Sequence, residues 1–277
     1  MKKHCLILLL ILLTGCSTKF AYKNADWLAY WYVDDYVSLN DAQEDLLDEH
    51  LKTWLDWHKK SELPAYIAHL KQIKSDIEQG SITPKRIAYH NDKVIAHWQS
   101  VRAEIVPDLV SLAPNLTEKQ VNNLFEELAK QEKEKQEKRA KLSDEKRQKR
   151  WFARTENSLE NWLGDITSSQ QKMVESLYLA QSPTSHLWSD YRARYQASLK
   201  TVLLNIVSDG KNQDKLKSLL LNPESFRSDE LNKLNEQNRQ SYHDFLYGVF
   251  LSLTDKQKQN LISEIDDLID DISELSQ

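Results

Sequence analysis

The chain has 277 residues, only five glycines and six prolines, and a net charge of -5. So acidic a chain is a poor general binder of nucleic acid or anionic lipid. Phosphate-cradling loops and nucleophile elbows need clustered glycines, and here Gly80, Gly164, Gly210 and Gly248 stand alone, which excludes nucleotide-binding and α/β-hydrolase chemistry.

Residues 1–15 read as a signal peptide. Met1-Lys2-Lys3 is a short positive leader, and Cys5 to Leu13 is an unbroken apolar run, well short of the ~20 residues that a spanning helix needs. Leu13-Thr14-Gly15-Cys16 closes that run and resembles the bacterial lipobox. The resemblance implies cleavage before Cys16, a diacylglycerol thioether on its Sγ and fatty acylation of the new amine. Ser17, in place of aspartate, then implies the periplasmic face of the outer membrane. Three acyl chains at ~0.8 kcal/mol per buried CH₂ hold permanently where one chain is marginal. Removing Lys2 and Lys3 leaves 35 basic against 42 acidic residues, a net charge of -7. Cys5 departs with the signal and Cys16 is consumed by lipid, so the mature chain can form no internal disulfide.

Residues 16–38 form an aromatic-rich segment. Trp27 and Trp31 are four apart, as are Leu28 and Tyr32, so a short helix would present a continuous aromatic face. Such a face either docks on the domain core or meets the membrane interface, where tryptophan and tyrosine are favoured.

Low glycine and abundant Leu, Lys, Glu, Gln and Asp predict an all-α protein, here a bundle of roughly eight helices. Leu39-Asn40-Asp41-Ala42-Gln43 opens a pattern that returns as Leu116-Thr117-Glu118-Lys119-Gln120, Ile166-Thr167-Ser168-Ser169-Gln170 and Leu253-Thr254-Asp255-Lys256-Gln257. Each copy is a capping box, in which the Thr or Asn oxygen accepts from the amide three residues on and the Gln reaches back. Four helix starts follow. The second copy alone has an apolar staple, Leu116 with Val121. The first and second copies lie 77 residues apart and the third and fourth 87. Each gap reads as helix, proline restart, helix, break and helix. The restarts are Ser61-Glu62-Leu63-Pro64 and Thr83-Pro84 in the first gap, Ser182-Pro183 and Asn222-Pro223 in the second. This predicts a tandem duplication of a four-helix unit, with residues 39–165 and 166–277 as its halves.

Trp54-Leu55-Asp56-Trp57-His58 is the densest cluster of chemistry-bearing side chains. Eight residues rotate His50 and His58 about 80° apart on a helix, so they make no metal pair. A buried aromatic seam is expected, with His58 hydrogen-bonded at a helix end. His69, His90, His97, His186 and His243 form no ligand spacing either. No cofactor, metal site or catalytic set is predicted, and the chain reads as a non-enzyme.

From Thr117 to Leu163 neither proline nor glycine interrupts the chain, and Gly164 supplies a stop. As one helix this would run about 70 Å, with Ser143-Asp144 a candidate break. Its middle, Ala129 to Arg150, is charged all round and predicts a solvent-bridging arm. Its end is basic and aromatic, with Arg150, Trp151 and Arg154 as candidate contacts. After Thr254 a stripe of Leu261, Ile265, Leu268, Ile272 and Leu275 opposes an acidic face, predicting an amphipathic core helix.

Trp27-Leu28-Ala29-Tyr30-Trp31, Asp34-Asp35-Tyr36, Leu55-Asp56-Trp57-His58 and Glu62-Leu63-Pro64, following the lipobox, resemble a family of bacterial lipoproteins known only as a domain of unknown function. The Leu-Thr-x-x-Gln boxes are similar to those of the Spy/CpxP periplasmic chaperones, all-helical and ATP-independent. The similarity implies binding of unfolded clients, with four boxes standing for a fused dimer. The chain departs from that pattern in Asn40, in Ile166 and in its acidity. The functional expectation is an outer-membrane-anchored binding or chaperone-like envelope protein. Its candidate surface is Trp27, Trp31, Trp54, Trp57, His58, Arg150, Trp151 and Arg154, and its partners are envelope proteins or unfolded clients, not nucleic acid. An assembly factor docking an envelope machine through the charged arm is the alternative. An enzyme of the cell wall or of lipids, using Asp56 with His58 or Glu62, is the remaining reading.

Overall fold

The computed structural model describes Tyr22 and residues 24–276, apart from the side chain of Asp26, and these residues form helices and connecting turns with no strand. The signal peptide and Cys16 lie outside the described residues. The helices are α1 (Ala25–Asp34), α2 (Asp41–Trp57), α3 (Leu63–Glu78), α4 (Pro84–Leu112), α5 (Glu118–Ala140), α6 (Asp144–Leu163), α7 (Ser168–Ala180), α8 (Ser185–Asp209), α9 (Gln213–Leu221), α10 (Asp229–Leu251) and α11 (Asp255–Ser276). A π turn (His58–Glu62) runs α2 into α3 without a break. Counted that way the described residues form ten helices, where roughly eight were expected. The all-α bundle is as predicted.

All four capping boxes form. Gln43, Gln120, Gln170 and Gln257 donate their backbone N–H to Asn40 Oδ1 and to the Oγ1 of Thr117, Thr167 and Thr254, at 3.1–3.2 Å. Each Gln Oε1 in turn accepts the cap residue's N–H at 2.9–3.1 Å. Two otherwise orphaned donors of each helix start are thereby satisfied within five residues of sequence.

The described chain divides into two compact units, one holding residues up to Ser81 and from Leu261 on, the other Ile82–Asn260. These units are drawn along different lines from the sequence segments 39–165 and 166–277. In the first unit Leu63, Leu268, Ile272 and Leu275 form a small core with Tyr22, Tyr66, Ile67 and Leu70 packed on it. Of the predicted apolar stripe of α11, Ile265, Leu268, Ile272 and Leu275 are buried and Leu261 is half-buried, while Asp267, Asp270 and Glu274 face solvent and Lys74 joins Asp266 at 2.6 Å. Tyr30 docks α1 on α2, its hydroxyl donating to Glu44 O at 2.8 Å and Asp48 Oδ1 at 2.9 Å.

The second unit is built around Val106, Val110, Val121, Phe125, Val202, Leu203, Ile206, Leu216 and Leu219, from α4, α5, α8 and α9. The staple holds: Leu116 packs on this core and Val121 is fully buried. A second packing centre joins α7 to α10. There Gln170 and Gln257, from the third and fourth boxes, exchange reciprocal amide hydrogen bonds of 3.0 and 2.8 Å, and both are buried. Gln170 Nε2 also donates to Ser252 Oγ at 3.2 Å, and Gln257 Nε2 to Asp165 O at 2.8 Å. Every donor and acceptor of the two amides is used. Asn260 Nδ2 closes the same joint by donating to Leu163 O at 3.0 Å, beside Gly164 at φ 73°.

Three sequence expectations are corrected here. Pro64 does not restart a helix. Its ring would clash with the Lys60 carbonyl and it has no N–H to give, so the chain inserts one residue: Leu63 N–H donates to His58 O, five back, and the helix continues. Residues 118–163 form two helices and not one of about 70 Å, parted at the Ser143-Asp144 candidate break, because Ser143 caps α6 and the Arg147 guanidinium takes up the carbonyls of Arg139 and Leu142 at the end of α5. Nor is the charged stretch wholly a solvent-bridging arm. Glu132 receives Arg192 at 2.8 and 3.0 Å and Ser189 at 3.0 Å, and Gln136 donates to Ser189 at 2.7 Å, so α5 lies packed on α8. Partial burial pushes the Glu132 carboxyl up, but these bonds outweigh it and hold it below the usual carboxylate range.

The two gaps between boxes also differ in make-up, the first holding α2–α3 and α4, the second α7 to α10. Gln181 leaves α7 in an extended conformation, and Asn238 pins Ser182 after it, accepting from Ser182 N–H at 2.8 Å and donating to Ser182 O at 2.9 Å.

The joint makes two expectations measurable in urea. Gln170→Ala and Gln257→Ala each lose about 1–3 kcal/mol, since each leaves a buried amide unpaired, and the double variant loses less than their sum. Strict additivity would contradict the reciprocal pair. Gly164→Ala loses more than ~1 kcal/mol, because its Cβ would lie 2.6 Å from Asn260 Nδ2 at a positive φ; an unchanged midpoint would contradict this.

Candidate functional site

Two constellations gather the candidate residues, one in each unit. In the first unit the π turn carries His58 between two phenols. Tyr22 Oη lies 3.1 Å from Nδ1 and Tyr66 Oη 3.3 Å from Nε2, with Trp57 6.3 Å away centroid to centroid. His58 thus sits within a continuous helix and not at its end. Burial pushes its pKa down, against the opposing charge of buried Glu62. Burial also pushes the Tyr22 hydroxyl up to about 12 and raises Tyr66. Imidazole and phenols are therefore all neutral near pH 7, a hydrogen-bonded bridge between the π turn, α3 and the N-terminal segment.

The neighbouring candidates are turned to other tasks. Asp56 pairs with Lys60 at 2.8 Å on the exposed side. Trp54 stacks on His50 at 5.7 Å. Trp27 and Trp31 stack on each other at 6.5 Å, and Trp27 remains 59% exposed. Asp56, His58 and Glu62 are not brought together into one set. Among the described residues no group of three or more His, Cys, Asp or Glu gathers as for a metal, and no helix is long and apolar enough to cross a membrane.

The second constellation lies in the second unit. Helices α6 and α10 both pack against α7, and between them remains a cleft of about 310 Å³ lined by Trp151, Arg154, Thr155, Ser158, Leu159, Tyr242 and Phe245. Trp151 and Phe152 meet Tyr178 of α7 edge-to-face, each at 5.2 Å, an arrangement aromatic quadrupoles favour. Tyr242 packs at 5.9 Å from Phe245 and is 47% exposed. Thr155 donates to Trp151 O at 3.0 Å, and Arg154 Nε to Arg150 O at 3.3 Å. Arg147, one turn earlier, is consumed by Asp144 and the end of α5. Arg150 and Arg154 are exposed and form no ion pair among the described residues.

Sequence reasoning found the α6 side of this cleft through its basic-aromatic run. It missed Tyr242 and Phe245, ninety residues away, whose only local signal was apolar periodicity in α10.

The bridge gives a pH expectation. A folded-state pKa below the ordinary value of 6.5 means that the unfolded chain takes the proton first. Its contribution to stability is thus present above the ordinary value and is lost as pH falls through it. His58→Gln should flatten the loss of thermal stability between pH 7 and pH 5. Parallel wild-type and variant profiles would contradict a buried neutral imidazole.

Compared with known proteins, residues 35–232 match the model of a family of unknown function, DUF6279. The match runs from the end of α1 into α10, and the chain belongs to that family. It contains Leu55-Asp56-Trp57-His58, Pro64 and the α6 wall of the cleft. No curated protein and no solved structure matches the chain.

Proposed function

We propose that this DUF6279 member is a lipoprotein of the periplasmic face of the outer membrane that binds other envelope proteins without catalysing a reaction. The anchor rests on the sequence: an apolar signal core closed by Leu13-Thr14-Gly15-Cys16 with Ser17 after it.

The binding role rests on one observation. The α6–α10 cleft keeps aromatic walls open to solvent beside two cations with no carboxylate of their own. Tyr242, Arg150 and Arg154 are thereby left available to a partner. By contrast, both ring nitrogens of His58 are taken up by Tyr22 and Tyr66, which favours a structural role for His58 over an acid–base one. The third and fourth Leu/Ile-Thr-x-x-Gln boxes are likewise spent on the buried Gln170–Gln257 pair, so these boxes lend a client-binding chaperone no surface. The assembly-factor reading loses the α5 part of its arm to α8 and keeps only the cations of α6.

Fractionation and crosslinking test this reading. Wild-type protein should partition with the outer membrane and incorporate palmitate, and Cys16→Ser should lose both. A photo-crosslinking amino acid at Ser158 in the cleft, or at exposed Ile95 on α4, should capture envelope protein in living cells. Recovery in the soluble fraction with no palmitate would overturn the anchor. No protein captured from either position would overturn the binding role.

A further inference from the structure

We infer that the α6–α10 cleft receives an acidic polypeptide segment carrying one large aromatic or aliphatic side chain, the side chain entering the cleft and its flanking carboxylates meeting Arg150 and Arg154. The inference rests on the binding role proposed above and names the chemistry of the partner.

Size restricts the occupant first. A cleft of about 310 Å³ lies at the small end of ligand pockets, room for one buried side chain and little more. The walls say which kind. Trp151, Leu159, Tyr242 and Phe245 offer ring faces and methyl groups, the surroundings in which buried aromatic anchors dominate binding. Thr155 already spends its hydroxyl proton on Trp151 O. The other polar groups of its lining are Arg154, Ser158, the Tyr242 hydroxyl and the Trp151 indole N–H.

Charge sets the flanks. Lys146, Lys149, Arg150 and Arg154 cluster on α6 in a chain whose net charge is -5, and no carboxylate lines the cleft. Arg150 and Arg154 stand one turn apart, and guanidinium pairs with carboxylate bidentately. An acidic segment satisfies both while desolvating only its anchor. A phospholipid fits less well, because its acyl chains need a longer apolar slot and its headgroup alone would leave the aromatic walls wet.

The test uses purified lipidated protein in detergent and fluorescence anisotropy. The probe is a fluorescein-labelled peptide with one phenylalanine between two runs of four glutamates. Controls replace the glutamates by lysine, or the phenylalanine by alanine. The acidic aromatic peptide should bind at least ten-fold more tightly than either control and should weaken between 50 and 300 mM salt. The double variant Arg150→Glu, Arg154→Glu should weaken it at least ten-fold, as should Tyr242→Ala, with helical content and melting temperature unchanged. Should Tyr242→Ala unfold, the charge-reversed protein carries the test alone, since both arginines are exposed.

Binding of all three peptides within two-fold, no saturable binding, or binding indifferent to charge reversal would overturn the inference. Displacement of bound peptide by phosphatidylglycerol micelles but not by unlabelled peptide would assign the cleft to lipid and overturn it as well. Envelope protein crosslinked from Ile95 alone would leave the binding role standing while removing this cleft from it.

Discussion

The reciprocal pair of Gln170 and Gln257 holds the second unit's joint together. Each amide does two jobs. Its oxygen caps its own helix, through Thr167 N–H or Thr254 N–H, and also accepts from the opposite amide. Its nitrogen donates across the pair and again to Ser252 Oγ or Asp165 O. A buried amide with any of these bonds missing would cost more than an apolar residue, so neither helix can shift without unsatisfying the other. The starts of α7 and α11 are thus locked together, and Asn260 draws in the end of α6 at Leu163. Since α6 is one wall of the cleft and meets Tyr178 of α7 through Trp151 and Phe152, this polar joint holds the end of that wall in place.

The first unit depends on a different accommodation. Proline inside a helix removes a donor and crowds a carbonyl, and here the π turn absorbs both. The extra residue widens the turn at His58–Glu62. His58 then meets Tyr66 on the following helix and Tyr22 from the N-terminal segment. A feature that often marks active sites serves here to pin the first described residue to the core. Burial keeps the imidazole pKa down and the two phenol pKa values up, so near pH 7 the bridge joins three uncharged rings by hydrogen bonds.

Polar contacts carry more of this protein than its composition suggests. Glu132 with Arg192 fastens α5 to α8, and Arg102 joins Glu224 at 3.0 Å while also donating to Leu221 O. Such pairs repay their desolvation only when further bonds satisfy both ions, and Ser189, Gln136 and the Leu221 carbonyl provide them. Arg150 and Arg154 of α6 stand outside this economy of paired charges. That contrast gives the cleft its functional interest.

What the sequence determined by itself was local. The boxes at Asn40, Thr117, Thr167 and Thr254, the stop at Gly164, and the apolar stripe of α11 were all legible, because capping and amphipathic spacing act over three to seven residues. Membership of a family of unknown function was legible too, from the residues around Trp57 and Pro64. The tertiary structure decided the rest. Whether Pro64 breaks or bulges a helix depends on whether packing against α11 rewards continuation. Whether 118–163 is one helix depends on Arg147 finding the carbonyls of α5. That the glutamines of two boxes 87 residues apart would become one buried pair, or that Tyr242 and Phe245 would stand opposite Trp151, depends on contacts between distant helices. Such contacts leave no period in a single chain, since each side chain satisfies its own helix equally well without its partner.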